Sequence, residues 1–154
     1  MYTALLVFHS LFRWFLLLSL VFAIYKAYSG WFSGKAFAKS DNTLRIVTSS
    51  LAHVQLLIGI GLFFVSPLIE YFLNNFGDAV KQSEVRFFGM EHNLMMLLAI
   101  VFITIGSASS KRKPTDVQKF KTIAIWFTIA LIIILVAIPW PFSPMASRPY
   151  FRGF

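Results

Sequence analysis

The chain contains no cysteine. That excludes disulfides, zinc–thiolate centres and cysteine-held iron–sulfur clusters, and it leaves the composition silent about the redox compartment. Charge is scarce too: 13% of the 154 residues are charged and only six are acidic. With 58% hydrophobic residues and a mean hydropathy of +0.73, the chain is far more apolar than a soluble domain of this size needs. The class indicated is an integral membrane protein. No nucleophile–base set and no phosphate-cradling loop is visible, so bond-making catalysis is not indicated. There is no internal repeat, no low-complexity segment and no second domain. The first apolar run lacks a preceding basic segment and a small-residue cleavage pattern, so we expect a retained helix and not a signal peptide.

Four apolar stretches are present, at about 3–28, 44–73, 87–107 and 122–140. Each reaches the ~20 residues that a helix needs to cross the hydrocarbon layer. The second is long, and Pro67 and Glu70 in "SPLIEYF" predict a kink or an exit there. The fourth should stop at "IPWPFSP". The net charge of +8 is gathered in short loops. Lys26, Lys35, Lys39 and Arg45 lie in the region from Lys26 to Arg45 that joins the first two stretches, and Lys111, Arg112, Lys113, Lys119 and Lys121 lie between the third and fourth. The opposite side has Lys81, Arg86, Arg148 and Arg152 against Glu70, Asp78 and Glu84. This asymmetry predicts cytoplasmic basic loops and both termini outside. It also explains the positive charge without nucleic acid as a partner. The expected architecture is all-α: one four-helix transmembrane domain, 1–154, packed up and down.

Ionisable residues within the spans are His9, Arg13, His53, Glu91 and His92. Burying such groups in a bilayer costs several kcal/mol on insertion scales, so each is a functional candidate. His9 lies about six residues into the first span and His92 about five into the third. At 1.5 Å per residue both sit roughly 8–9 Å below the outer boundary. In an up-down bundle these spans are diagonal, so the two imidazoles are expected to face each other through the centre. That geometry suits two axial ligands of one haem b iron, an electron-transfer arrangement with no open coordination position. Arg13, one turn beyond His9, has a haem propionate or Glu91 as its partner, and Glu91 is the more direct. His53 is expected roughly 5–10 Å deeper. It is an alternate ligand, or it serves a quinone contact or proton relay.

Each feature also has a purely structural reading. The histidines can bond across helices. Met95 and Met96, on the face of His92, are expected to pack, although methionine also ligates haem iron or Cu(I). Gly59 and Gly61 are expected to allow close helix approach. The fourth span offers only Thr122, Trp126 and Thr128 besides apolar residues and reads as a packing element.

The segments "FHSLFRW", "HVQLLIGIGLFF", "EHNLMM" and "IPWPF" together resemble small bacterial four-helix membrane proteins labelled cytochrome b-like. More distantly the chain is similar to cytochrome b and cytochrome b561. Those larger families hold two haems between helices on four histidines. Three histidines here imply one haem per chain, or an additional site shared between chains.

The function expected from these features is a small b-type cytochrome subunit. It would exchange electrons with a quinone or a partner protein as a carrier more than as a complete enzyme. A different class is a haem-free accessory or assembly subunit, whose 18 phenylalanines pack against membrane-protein partners or further copies of itself. A proton or small-solute path through His53 and Glu91 is a third reading. The tail "SPMASRPYFRGF" is expected outside the membrane, where Arg148, Tyr150 and Arg152 would dock a partner.

Overall fold

A computed structural model describes residues 1–151; Arg152 of the tail lies outside the described residues. The described residues form helices joined by turns, with an irregular tail after residue 137 and no strands. Helix α1 is Tyr2–Ser33, α2 is Lys39–Val65 and α3 is Pro67–Asn74. Two single turns follow, α4 (Phe76–Ala79) and α5 (Ser83–Arg86). A π-helical turn, Phe87–Glu91, runs straight into α6, His92–Lys111, and α7 is Asp116–Ala137. Helices α1, α2 and α7 and the continuous segment Ser83–Lys111 are each long and apolar enough to cross a membrane.

The breaks follow from backbone chemistry. Helix α1 ends where Gly34 adopts φ +62°, the left-handed conformation that favours glycine, and its N–H returns to the Gly30 carbonyl. Helix α2 starts with Asp41 accepting from the Ala38 N–H at 3.0 Å. The expected kink is a complete break. Pro67 has no N–H to offer Phe63, so α2 stops at Val65 and proline takes the first position of α3. Thr115 caps α7, its Oγ1 accepting from the Gln118 N–H at 3.3 Å.

Helix α1 packs against α2 and α7; α6 packs against α7 and, more sparsely, α2. Helices α1 and α6 therefore lie across the core from each other. Small residues fill the seams: Ala27, Ala52, Ala99, Ala124 and Ala130 are sealed from solvent. At Gly106 a β-carbon would stand 2.4 Å from Cβ of Trp126, so only glycine permits this approach of α6 to α7. Large apolar side chains point outward on every long helix, among them Phe22, Leu57, Phe64, Leu94 and Ile132. Helices apolar around their whole circumference suit a hydrocarbon surround.

One cation departs from its expected place. Arg45, read above as a loop charge, is buried at 7% exposure in the second turn of α2. Its Nη1 donates to the carbonyl and hydroxyl of Ser107 on α6 (3.0 and 2.6 Å), and its Nε and Nη2 donate to Asn42 Oδ1 (3.3 and 2.8 Å).

Candidate functional site

Between the helices at one end of the bundle lies an apolar cavity of about 370 Å³, within the size range of small-ligand sites. Its walls come from the first half of α1, the second half of α2, the start of α6 and the end of α7. Leu6, Phe63, Ile100 and Ile138 supply apolar surface, while His9, Arg13, His92 and Arg148 supply most of the polar chemistry. A smaller cavity of about 120 Å³ abuts it and shares His9, Gly59 and His92.

The two histidines from opposite helices meet here. Their ring centroids are 6.3 Å apart and their planes are inclined by 66°. The orientation of His92 has a local cause. Residues 139 and 141 are prolines, so the carbonyls of Leu135 and Ala137 lose the donors a continuing helix would supply. The indole Nε1 of Trp140 donates to the Leu135 carbonyl at 2.8 Å. Nδ1 of His92 donates to the Ala137 carbonyl, also at 2.8 Å. A carbonyl only accepts, so the His92 proton is on Nδ1, and in the neutral ring Nε2 keeps its lone pair. The approach of α7 thus does more than pack; its last turn selects the His92 tautomer.

His9 is held differently. Its backbone carbonyl accepts from Nε2 of Gln55 at 2.9 Å. Its ring Nδ1 is buried without a partner, as is Oε1 of Gln55. A β-carbon at Gly59 would lie 3.6 Å from Cε1 of His9, ordinary contact, so glycine here is not forced by the imidazole.

Arg13 also lines the cavity, but the expected Arg13–Glu91 pair does not form. Nη2 of Arg13 donates to the carbonyl of Tyr150 at 2.5 Å, the guanidinium lies 5.2 Å from the Trp14 ring, and Nε is buried without a partner. Glu91 accepts instead from Nε of Arg86 at 2.8 Å. The physical reason is the π-helical turn. Wider winding brings residues five apart onto one face, which aligns Arg86 with Glu91 and Phe88 with Asn93.

His53 is not brought to the other two. It sits on the outer face of α2, exposed, with Nε2 2.9 Å from Oγ1 of Thr104, and it lines neither cavity. Met96 lines the larger cavity and Met95 does not. Among the described residues no three His, Cys, Asp or Glu side chains converge as a metal cluster.

Sequence reasoning placed Arg148 in a docking tail. The tail folds onto its own chain. The Arg148 N–H donates to the Pro139 carbonyl at 3.2 Å, and the guanidinium pairs with Glu84 and lies 4.9 Å from the Phe88 ring. Tyr150 and Phe151 pack on Trp14. Arg148 and Pro149 thereby become part of the cavity wall. The proline pair after α7 signalled that the chain turns there; nothing local signalled where it would land. Compared with protein-family models, with curated proteins and with solved structures, the chain matches none.

Proposed function

We propose that this chain is a multi-pass membrane protein that holds one haem b in the cavity between His9 and His92 and carries electrons through it. The observation that supports the reading most is the 6.3 Å separation of the two rings. Two imidazole nitrogens about 2 Å from a common iron would set their ring centres roughly 6 Å apart. A macrocycle supplies four donors of its own, so two protein ligands suffice and no larger cluster is required. The Nδ1–H of His92 on a carbonyl is the outer contact that orients a ligating imidazole and raises its basicity. The walls are apolar, and Arg13 and Arg148 add two cations beside them. Nε of Arg13 has no partner, and a haem propionate would satisfy it. When bound, the group would supply one-electron chemistry; the protein would fix its ligands, balance its carboxylates and exclude water.

In this reading the bundle is up-down, and the basic loops lie in the cytoplasm of a bacterial cell. The cavity then opens in the outer half of the membrane, where a quinone or a membrane-protein partner would exchange electrons. The resemblance to cytochrome b-like proteins points the same way.

The test is a reduced-minus-oxidised spectrum of protein made with ample haem. A b-type band is expected in the wild type and in His53→Ala, and not in His9→Ala or His92→Ala. A colourless wild type, or a band that survives both substitutions, overturns the proposal. A second reading has its own support: Gln55 to His9, His92 to Ala137 and Arg13 to Tyr150 are bonds between distant segments of the chain that form without any ligand. They suit a haem-free accessory subunit. Its signature is stable co-purification with a larger complex and no cofactor absorption.

A further inference from the structure

The other end of the bundle carries a second, different concavity. It measures about 240 Å³ and is lined by Lys39, Asn42, Arg45, Ser110, Lys111 and Lys119, with Phe37 at its side. Four cations from three helices converge on it. Orientation in a membrane asks only that basic residues lie on one side; it does not ask them to face one hollow. Bringing like charges together is unfavourable unless something negative sits among them.

The carboxylates of the protein do not fill that need. Lys119 has Asp116 at 2.8 Å. Among the described residues Lys39, Arg45 and Lys111 have no carboxylate within pairing distance, and Asp41 is engaged with Lys26 at 3.5 Å. Arg45 is the most telling of the three. It is a buried guanidinium held only by neutral partners, and a buried charge of that kind calls for a counter-ion. The surroundings indicate what would carry it. On the same end of α1, Tyr28, Trp31 and Phe32 stack with centroids 5.0–5.9 Å apart, and Lys121 lies 5.4 Å over the Trp31 ring. Phe32 is 76% exposed. Aromatic and basic side chains interleaved at the end of an apolar bundle mark the level of lipid headgroups.

We infer that this hollow binds the phosphate of an anionic phospholipid headgroup, with Lys39 and Lys111 gripping it at the mouth above the buried Arg45. The inference is independent of haem. The test uses full-length protein taken from vesicles of equal phosphatidylglycerol and phosphatidylcholine, with retained lipid counted by native mass spectrometry. Wild type should retain phosphatidylglycerol selectively. A Lys39→Gln/Lys111→Gln double variant should retain roughly thirtyfold less. Lys35→Gln/Lys113→Gln, which removes the same charge outside the hollow, should match wild type. Lys39 and Lys111 are exposed terminal residues of α2 and α6, and Lys35 and Lys113 are exposed in the segments just beyond α1 and α6, so neither variant removes a buried side chain, and Arg45 is left untouched. Equal loss in the two variants would reduce the effect to general surface charge and overturn the inference. Displacement of the lipid by inorganic phosphate at equal phosphorus concentration would overturn the lipid as the source.

Discussion

Truncating His92 and His9 in parallel isolates a single hydrogen bond. Both residues are imidazoles on the wall of the same cavity. His92→Ala and His9→Ala therefore remove similar apolar area and enlarge the same space, so transfer and cavity terms largely cancel in the difference. What does not cancel is the bond from Nδ1 of His92 to the Ala137 carbonyl, since the ring of His9 makes no such bond. That carbonyl has no substitute donor, because residue 141 is proline. In water an orphaned buried carbonyl would cost about 1–3 kcal/mol. Within a membrane, interhelical hydrogen bonds average about 0.6 kcal/mol and reach about 1.7. We expect His92→Ala to be less stable than His9→Ala by about 1 kcal/mol. The assay is reversible denaturant unfolding of colourless protein in detergent micelles, so that no cofactor contributes to either variant. Equal stability, or a greater loss in His9→Ala, would refute the claim that the end of α7 fixes the His92 ring.

Three further outcomes are expected. Gly106→Val places a branched side chain where Trp126 already stands 2.4 Å from the first added carbon; it should destabilise by about 1–3 kcal/mol, read from the same unfolding curves, whereas Gly59→Ala, with 3.6 Å of room, should stay within about 0.5 kcal/mol of wild type. Arg86→Gln should weaken the protein more than Lys81→Gln, because the Arg86–Glu91 pair is partly buried and the Lys81–Asp78 pair is exposed; the exposed pair is worth at most about 1 kcal/mol, and equal effects in a thermal melt would count against the π-helical alignment. Removing residues 147–154 should open the His9–His92 cavity, raising the labelling rate of a cysteine introduced at Leu6 by a membrane-permeant maleimide; an unchanged rate would show that the tail does not cover the site.

The four long helices were legible in the sequence because apolar length is a local property, and so was an interruption near Pro67, whose missing N–H acts over a single turn; the stop at Gly34 was not read, and α1 runs past the expected end near residue 28 to Ser33. The approach of His9 to His92 was legible for a similar reason, since depth along a helix follows from counting residues. Angular position was harder. The Arg13–Glu91 expectation assumed regular α-helical winding before His92, and one wide turn gave Glu91 to Arg86 instead. Arg45 misled in the opposite way. A cation close to a basic loop reads as solvent-facing, and its burial depends on a hydroxyl and a carbonyl 62 residues away on another helix. His53 lies on the outward face of α2, where Thr104 alone answers it; counting residues along a helix does not say which way a side chain faces.

The prolines after α7, more than the histidines, organise the candidate site. Pro139 and Pro141 each remove one N–H, and two carbonyls at the helix end are left without donors. One recruits the Trp140 indole, and the other recruits His92 from α6. The same prolines stop the helix, so the chain turns and the Arg148 N–H reaches the Pro139 carbonyl. That contact returns a guanidinium to the cavity and lays Tyr150 against Arg13 and Trp14. A regular helix through residue 141 would satisfy its own carbonyls. It would leave His92 free to rotate and carry the tail away along the helix axis. The imidazole orientation, the second cation and the cover over the cavity thus share one cause, which is written in five residues, "IPWPF".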